Sequence, residues 1–212
     1  STLSSSSAAS DVYKRQQLLK RFDIPVYTKQ GTWREIQDKL IVPKNRLIEL
    51  TKGSLTLGSL IVEPFSVSHD AADPIGINVF AGNDKATIVT DTGVISDDIL
   101  RRIDDTTLLV LEANYDPHML RFGPYQPFLK QRVASDEGHL SNEMAAQALL
   151  MMKRPDFMQV ILAHRSENNN NSVLVTQTIG KMLVDGGVRI GPEMKLQHGQ
   201  PNEIVSIQSV KR

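Results

Sequence analysis

The chain has 212 residues with 24 basic and 24 acidic side chains, and is 40% hydrophobic and 23% charged, the balance of a globular protein of one domain or at most two. A formal net charge of zero supplies no global field for a polyanion, so nucleic-acid contact depends on a local cluster such as Arg121, Lys130 and Arg132, which is otherwise ordinary solvated surface. Cysteine is absent, which excludes disulfides, thiolate nucleophiles and sulfur-rich zinc sites and leaves histidine and carboxylate to hold any metal.

Residues 1–16, STLSSSSAASDVYKRQ, show no hydrophobic periodicity and read as a disordered or non-native leader, with residues 17–212 as the folded part. No apolar core of a secretory signal is present and no apolar run nears the ~18 residues that span a bilayer, so the expectation is a cytoplasmic protein without a membrane partner. A helix end over 18–22 and a strand over 24–28 follow. Thr32 with Glu35 three residues on is a capping-box pattern for a helix over 32–40, whose Trp33, Ile36 and Leu40 share a face and make Trp33 a core candidate. Residues 46–50 and 54–62 read as a hairpin around Lys52-Gly53.

The stretch 64–93, PFSVSHDAADPIGINVFAGNDKATIVTDTG, organises what comes after it. An apolar strand over 65–67 delivers His69, and a hairpin of 77–80 with 87–89, turning through Gly82, Asn83 and Asp84, delivers Asp91. Two potential metal ligands thus reach neighbouring strand tips; a hydrogen-bonded loop corner is the alternative for the pair. Ser96 caps a helix over 97–103 with two acids in its first turn. A doubly buried strand over 106–111 ends at Glu112, which either caps the next turn or serves a site.

Gly123-Pro124 and Pro127 break residues 119–132 into separate helical pieces. In DEGHLSNE, Gly138 allows a bend and Ser141 caps a helix whose Met144, Ala148 and Met151 or Met152 face inward. His139 at that helix start suits contact with phosphate or donation of a proton, or else is a loop histidine stacked on the cap. A strand over 160–163 carries His164 at its tip. The run Asn168 to Asn171 reads as a long loop, followed by a helix over 172–184 ended by Gly186-Gly187, a surface His198 and a last strand over 204–210. The alternation of strands and helices is that of a mixed α/β fold, with His69, Asp91, Glu112 and His164 converging at one rim of the sheet.

VSHDA, IVTDTG, LEANYD, GHLSNE and LAHRS with its asparagine run resemble, in order, the motifs of metallo-β-lactamase-fold hydrolases, in particular the bacterial YycJ/WalJ type. The resemblance runs from about Leu18 to the C-terminus and implies an αββα sandwich lacking its N-terminal strands and first metal motif. It implies that His69, Asp91 and His164 are metal ligands, Asp91 bridging two divalent ions, zinc or manganese. It further implies that His139, with Glu112, donates a proton to the leaving group, as in related tRNA 3′-processing nucleases. The implied activity is a metal-dependent phosphodiester hydrolase, a 5′→3′ exonuclease on DNA. H-x-H-x-D-H, which in that family precedes the matching residues and supplies further ligands, does not occur in these 212 residues. On this reading the chain is N-terminally truncated, and alone it is expected to be poorly soluble and hydrolytically silent. The alternatives are a non-catalytic fragment or binding protein, or a hydrolase of this fold with a lactam or thioester substrate.

Overall fold

A computed structural model describes residues 16–38, 41–50, 53–200 and 203–207. It divides into two compact units, residues 1–52 with 71–73, and residues 53–70 with 74–212.

In the first unit, β1 (Val26–Thr28) pairs in parallel with β2 (Leu47–Glu49), Val26 opposite Leu47. Parallel pairing needs a crossover, and α1 (Gln30–Ile36) supplies it. The helix starts two residues before the expected Thr32 cap, which puts Thr32 inside its first turn, where the hydroxyl donates to the Asp73 carbonyl (3.2 Å). None of its residues is buried, and Trp33, expected in a core, is half-buried. The expected end of this helix at 39–40 lies outside the described residues, as do residues 1–15 of the leader. Arg46 donates to the carbonyls of Leu19, Phe22 and Ile24, so one guanidinium caps the end of a helical stretch over 16–21.

The second unit is built on one seven-stranded sheet, β3 (Leu55–Leu57), β4 (Leu60–Ser66), β5 (Ile75–Ala81), β6 (Asp84–Val89), β7 (Leu108–Glu112), β8 (Met158–Ala163) and β9 (Met194–His198), neighbours in chain order. Pairing is antiparallel from β3 to β6 and parallel from β6 to β9. The expected hairpin of 46–50 with 54–62 is corrected: residues 47–49 belong to the first unit, and Gly58, with φ +62°, turns β3 back on β4 inside what reads as one strand. The β5–β6 turn falls where expected, Gly82 at φ +60° between Ala81 and Asp84.

Helices α2 (Asp97–Ile103), α5 (Asn142–Met151) and α6 (Ser172–Asp185) cover one face of the sheet; the pair α3 (Pro117–Phe122) and α4 (Pro127–Val133) lies between β7 and α5 in the chain. Phe65, Val89, Leu109, Leu111, Val160 and Leu162 meet Ile99, Ile103, Leu149, Ile179 and Leu183 in the core. Apolar strand residues buried at ~25 cal/mol per Å² fix this face inward, since a slip of one residue would expose them all. The other face carries Ile77, Ile88, Val110 and Ile161 side by side, with Ile88 42% exposed. At the end of α5, Met151 is exposed and the next residue, Met152, is the one turned inward. The final strand expected over 204–210 is not formed at 203–207, and 208–210 lie outside the described residues; the last strand among the described residues is β9, which weak alternation in MKLQH did not signal. Among the described residues no helix is long and apolar enough to cross a membrane.

Candidate metal and catalytic centre

Strand direction assembles the site. β4 and β6 are each antiparallel to β5 and so run the same way, and β7 and β8 are parallel to β6; their carboxyl ends share one rim, where α/β sheets place ligands. His69 follows β4, Asp91 follows β6, Glu112 ends β7 and His164 follows β8. Asp91 and His164 both sit in the left-handed region, φ +55° and +53°, which turns the chain sharply at the strand tip. His139 enters from the loop before α5.

Asp91 is the centre of the cluster. Its Oδ1 lies 3.7 Å from His69 Nε2, 3.5 Å from His164 Nδ1 and 4.0 Å from His139 Nδ1. These separations are too long for hydrogen bonds, and the one from His69 Nε2 is close to the edge, about 3.4 Å, of a tetrahedron of ligands ~2.1 Å from an ion. His69 Nδ1 donates to the Gly138 carbonyl (3.0 Å), which in the neutral ring leaves the lone pair on Nε2, facing Asp91 Oδ1 and, at 3.5 Å, Asp70 Oδ1. A lone pair set against two carboxylates is unfavourable unless a proton or a metal cation joins them. The donor set, imidazole and carboxylate without sulfur, therefore fits a hydrolytic metal. Asp91, Glu112, His139 and His164 also present ligand atoms all within 4.8 Å of one another.

Glu112 differs from Asp91 in every respect. Its side chain is 0% exposed where that of Asp91 is 46% exposed. Its Oε1 accepts from His139 Nδ1 (2.8 Å) and His164 Nδ1 (2.6 Å), and its Oε2 from the Thr92 N–H (3.0 Å) and the Leu140 N–H (3.4 Å). Burial alone pushes this carboxyl up, but the hydrogen bonds and charges of His139 and His164 outweigh it and hold it below the ordinary glutamate value. Glu112 is thus an anion that fixes both rings with a proton on Nδ1.

The supporting residues are ones that sequence reading passed over. Thr92, fully buried, ties three tips: its Oγ1 accepts from the Ser68 N–H (3.3 Å) and donates to the Val94 carbonyl (2.9 Å), and its N–H serves Glu112. The asparagine run, expected as loop, is buried at Asn169 and Asn170: the Asn170 amide donates to the Ala113 and Asn114 carbonyls and exchanges hydrogen bonds with Asn142, while Asn114 donates to the His164 carbonyl (2.7 Å). Asn171 caps α6. Asp70 takes a two-pronged ion pair from Arg132, which holds its carboxyl below the usual range and fixes the residue next to His69. At Gly138 a Cβ would collide with the Arg132 and Val133 carbonyls, so only glycine allows the bend before His139. A polar residue beside a strand tip was the one signal available for Thr92. His198, expected at the surface, is in β9 and bonds Thr176 Oγ1 through Nε2 (2.8 Å).

The structure therefore brings together His69, Asp91, Glu112, His139 and His164. A rim of this kind on a mixed sheet under helices defines a metallo-β-lactamase-type fold, and the beta-lactamase superfamily domain matches residues 10–164, so the chain belongs to that superfamily. Exodeoxyribonuclease YycJ of Bacillus anthracis is 33% identical to it over 195 residues, 91% of this chain and 74% of that protein. Exodeoxyribonuclease WalJ of Streptococcus pneumoniae is 30% identical over 190 residues, 87% of this chain and 70% of that protein. Among solved structures, the metallo-beta-lactamase fold protein YhfI from Bacillus subtilis superposes with a TM-score of 0.62 at 14% identity, covering 90% of this chain and 69% of that one.

Proposed function

We propose that this chain is the catalytic domain, or the larger part of it, of a metal-dependent phosphodiester hydrolase that degrades DNA from the 5′ end. The reading is supported by the names of the relatives and, above all, by one buried carboxylate, Glu112, holding two imidazoles beside an exposed one, Asp91. His69, Asp91 and His164 would hold two divalent ions, zinc or manganese, which supply an ionised water at neutral pH and offset charge on the phosphate. Glu112 orients His139 through Nδ1, which leaves Nε2 as the ring atom that would deliver a proton to the oxygen leaving phosphorus. His164, fixed by the same carboxylate, turns its own Nδ1 away from ligand duty.

The test uses DNA with different labels on its two ends and added manganese or zinc. Because H-x-H-x-D-H is not among these residues, the protein is assayed both alone and with the corresponding segment of the Bacillus anthracis relative fused ahead of it. Release of the 5′ label as mononucleotide by the fusion, lost in His139→Ala with metal content unchanged, is the expected result. Hydrolysis of lactam or thioester in preference to DNA, or release from the 3′ end, overturns the reading.

A further inference from the structure

The rim carries an arginine that none of the chemistry above uses. Arg165 follows His164 directly, and both of its neighbours in the chain are clamped by Asn114: the Asn114 amide donates to the His164 carbonyl (2.7 Å), and the Ser166 N–H donates to the Asn114 carbonyl (2.8 Å). Asn114, 7% exposed, is itself fixed, its N–H donating to the Leu140 carbonyl (2.9 Å). The backbone at Arg165 is therefore set by the same residue that sets the His164 tip. Its side chain is half-buried, and among the described residues no carboxylate pairs with it. The acids of the neighbouring tips have other partners: Asp70 takes Arg132, Glu112 takes two imidazoles, and Asp116 caps α3.

The guanidinium lies toward β9. His198, at the carboxyl end of that strand, feels its charge: burial first, and then Arg165, push the imidazole below the ordinary histidine value. The Thr176 hydroxyl donates to the Ser172 carbonyl (2.9 Å), so the His198 ring donates from Nε2 to Thr176 Oγ1 (2.8 Å). Sheet order then lines up along the rim Asp91 after β6, Glu112 on β7, His164 after β8 and, one strand spacing of about 4.8 Å further, an unpaired cation.

We propose that Arg165 takes the 5′-terminal phosphate of the DNA strand while the next phosphate lies at the metal centre, so that the chain selects a strand end. The proposal deepens the nuclease reading and rests on it for its ligand. A terminal phosphate monoester carries about two negative charges against one for an internal diester, and offers three oxygens to the two-pronged guanidinium. An arginine placed by its clamped backbone, half-buried and without a carboxylate to neutralise it, suits that dianion. A surface arginine held only by water would not discriminate between strand ends.

Binding is measured with the full 212-residue chain, in chelator so that nothing is cleaved, by anisotropy of one 3′-labelled single strand prepared with a 5′-phosphate and with a 5′-hydroxyl. The phosphorylated strand is expected to bind at least about fivefold tighter. Arg165→Leu should reduce that ratio to one and leave the affinity for the hydroxyl strand, the melting temperature and metal affinity unchanged. Arg165→Lys, which keeps the charge without the fork, should retain part of the ratio. No binding by the parent chain, a parent ratio of one, a ratio that survives Arg165→Leu, or equal losses on both strands, the mark of an internal phosphate, overturns the assignment. Hydrolysis by the fusion from the 5′ end at equal rates with either terminus sinks the assignment and leaves the nuclease reading standing. A ratio removed by Arg165→Leu, in a fusion that hydrolyses lactam or thioester in preference to DNA, sinks the nuclease reading and leaves the phosphate site.

Discussion

The two ends of the parallel strands β6, β7 and β8 hold similar residue types and use them differently. At the amino ends an open cleft of about 780 Å³ is lined by Asp84, Lys85, Asp105, Arg154, Asp156 and Gln159 among others. Its charges have local partners: Lys153 meets Asp105 (2.8 Å), Lys85 Nζ donates to the Asp104 carbonyl (2.7 Å), and Arg154 caps the Leu149 and Leu150 carbonyls at the end of α5. At the carboxyl ends no lysine or arginine among the described residues pairs with Asp91; three histidine rings surround it at distances too long for hydrogen bonds. Strain does not separate the two ends, since Asp105 at one has φ +55° just as Asp91 does at the other. Nor does the presence of a cleft mark the chemistry, because the end without histidines has one of about 780 Å³. What separates them is whether carboxylates meet cations that neutralise them or imidazoles that need a third party.

The largest effect that can test this difference is at Glu112. Its replacement by alanine strands two imidazole N–H groups and the Thr92 N–H in a buried space, which should cost about 3–5 kcal/mol in urea unfolding and abolish metal uptake. Asp105→Asn, which keeps a residue tolerant of the left-handed region, is expected to leave the melting curve unmoved. Similar losses at both ends would erase the contrast.

Next in size is Asn170→Ala, expected to destabilise by about 3 kcal/mol, because the Ala113, Asn114 and Asn142 groups it serves are buried and would lose their partner. Since Asn114 also holds the His164 carbonyl, metal affinity measured by competition with a chelator should fall too. Destabilisation with metal affinity intact would confine the asparagines to a folding role.

How much of this was legible in sequence depended on range. The turn at Gly82, the caps Ser96 and Ser141, the break at Gly123-Pro124 and the strand tips bearing His69, Asp91, Glu112 and His164 are local patterns, set by backbone preferences and apolar runs within a few residues. Asn170 was not legible, since its partners stand 28 and more residues away and an asparagine run has the composition of a loop. The Thr32 cap misled because the helix begins at Gln30 and the Thr32 hydroxyl instead donates to the Asp73 carbonyl, 41 residues distant. The pairing of β1 with β2 was missed for the same reason.

A smaller effect is expected at Thr92. Thr92→Val preserves shape and the N–H to Glu112 but removes the hydroxyl that joins Ser68 to Val94, and should cost about 1–2 kcal/mol. Because Ser68 precedes His69, long-range proton–nitrogen spectra of the metal-free protein should show the His69 ring losing its fixed Nδ1 proton. Unchanged His69 resonances would mean that the Gly138 carbonyl holds the ring unaided.

The smallest effect concerns Lys85, in the cleft at the opposite end. Burial holds its ammonium below the ordinary lysine value of 10.5, and the attraction of Asp104, Asp105 and Glu63 offsets that only in part. The unfolded chain therefore binds the proton more tightly than the folded one, and between the depressed value and 10.5 unfolding takes up protons, so stability should rise with pH. Below that window both states are charged and the burial cost is present in full; above it both are neutral and the cost is gone. Lys85→Met lacks this term, which makes the difference in unfolding free energy between parent and variant the quantity to follow from neutral to alkaline pH. The difference should move in favour of the parent as pH rises. Movement in favour of the variant would show that the acids around Lys85 outweigh its burial, and that this end of the sheet, like the rim, is organised around a charge it holds tightly.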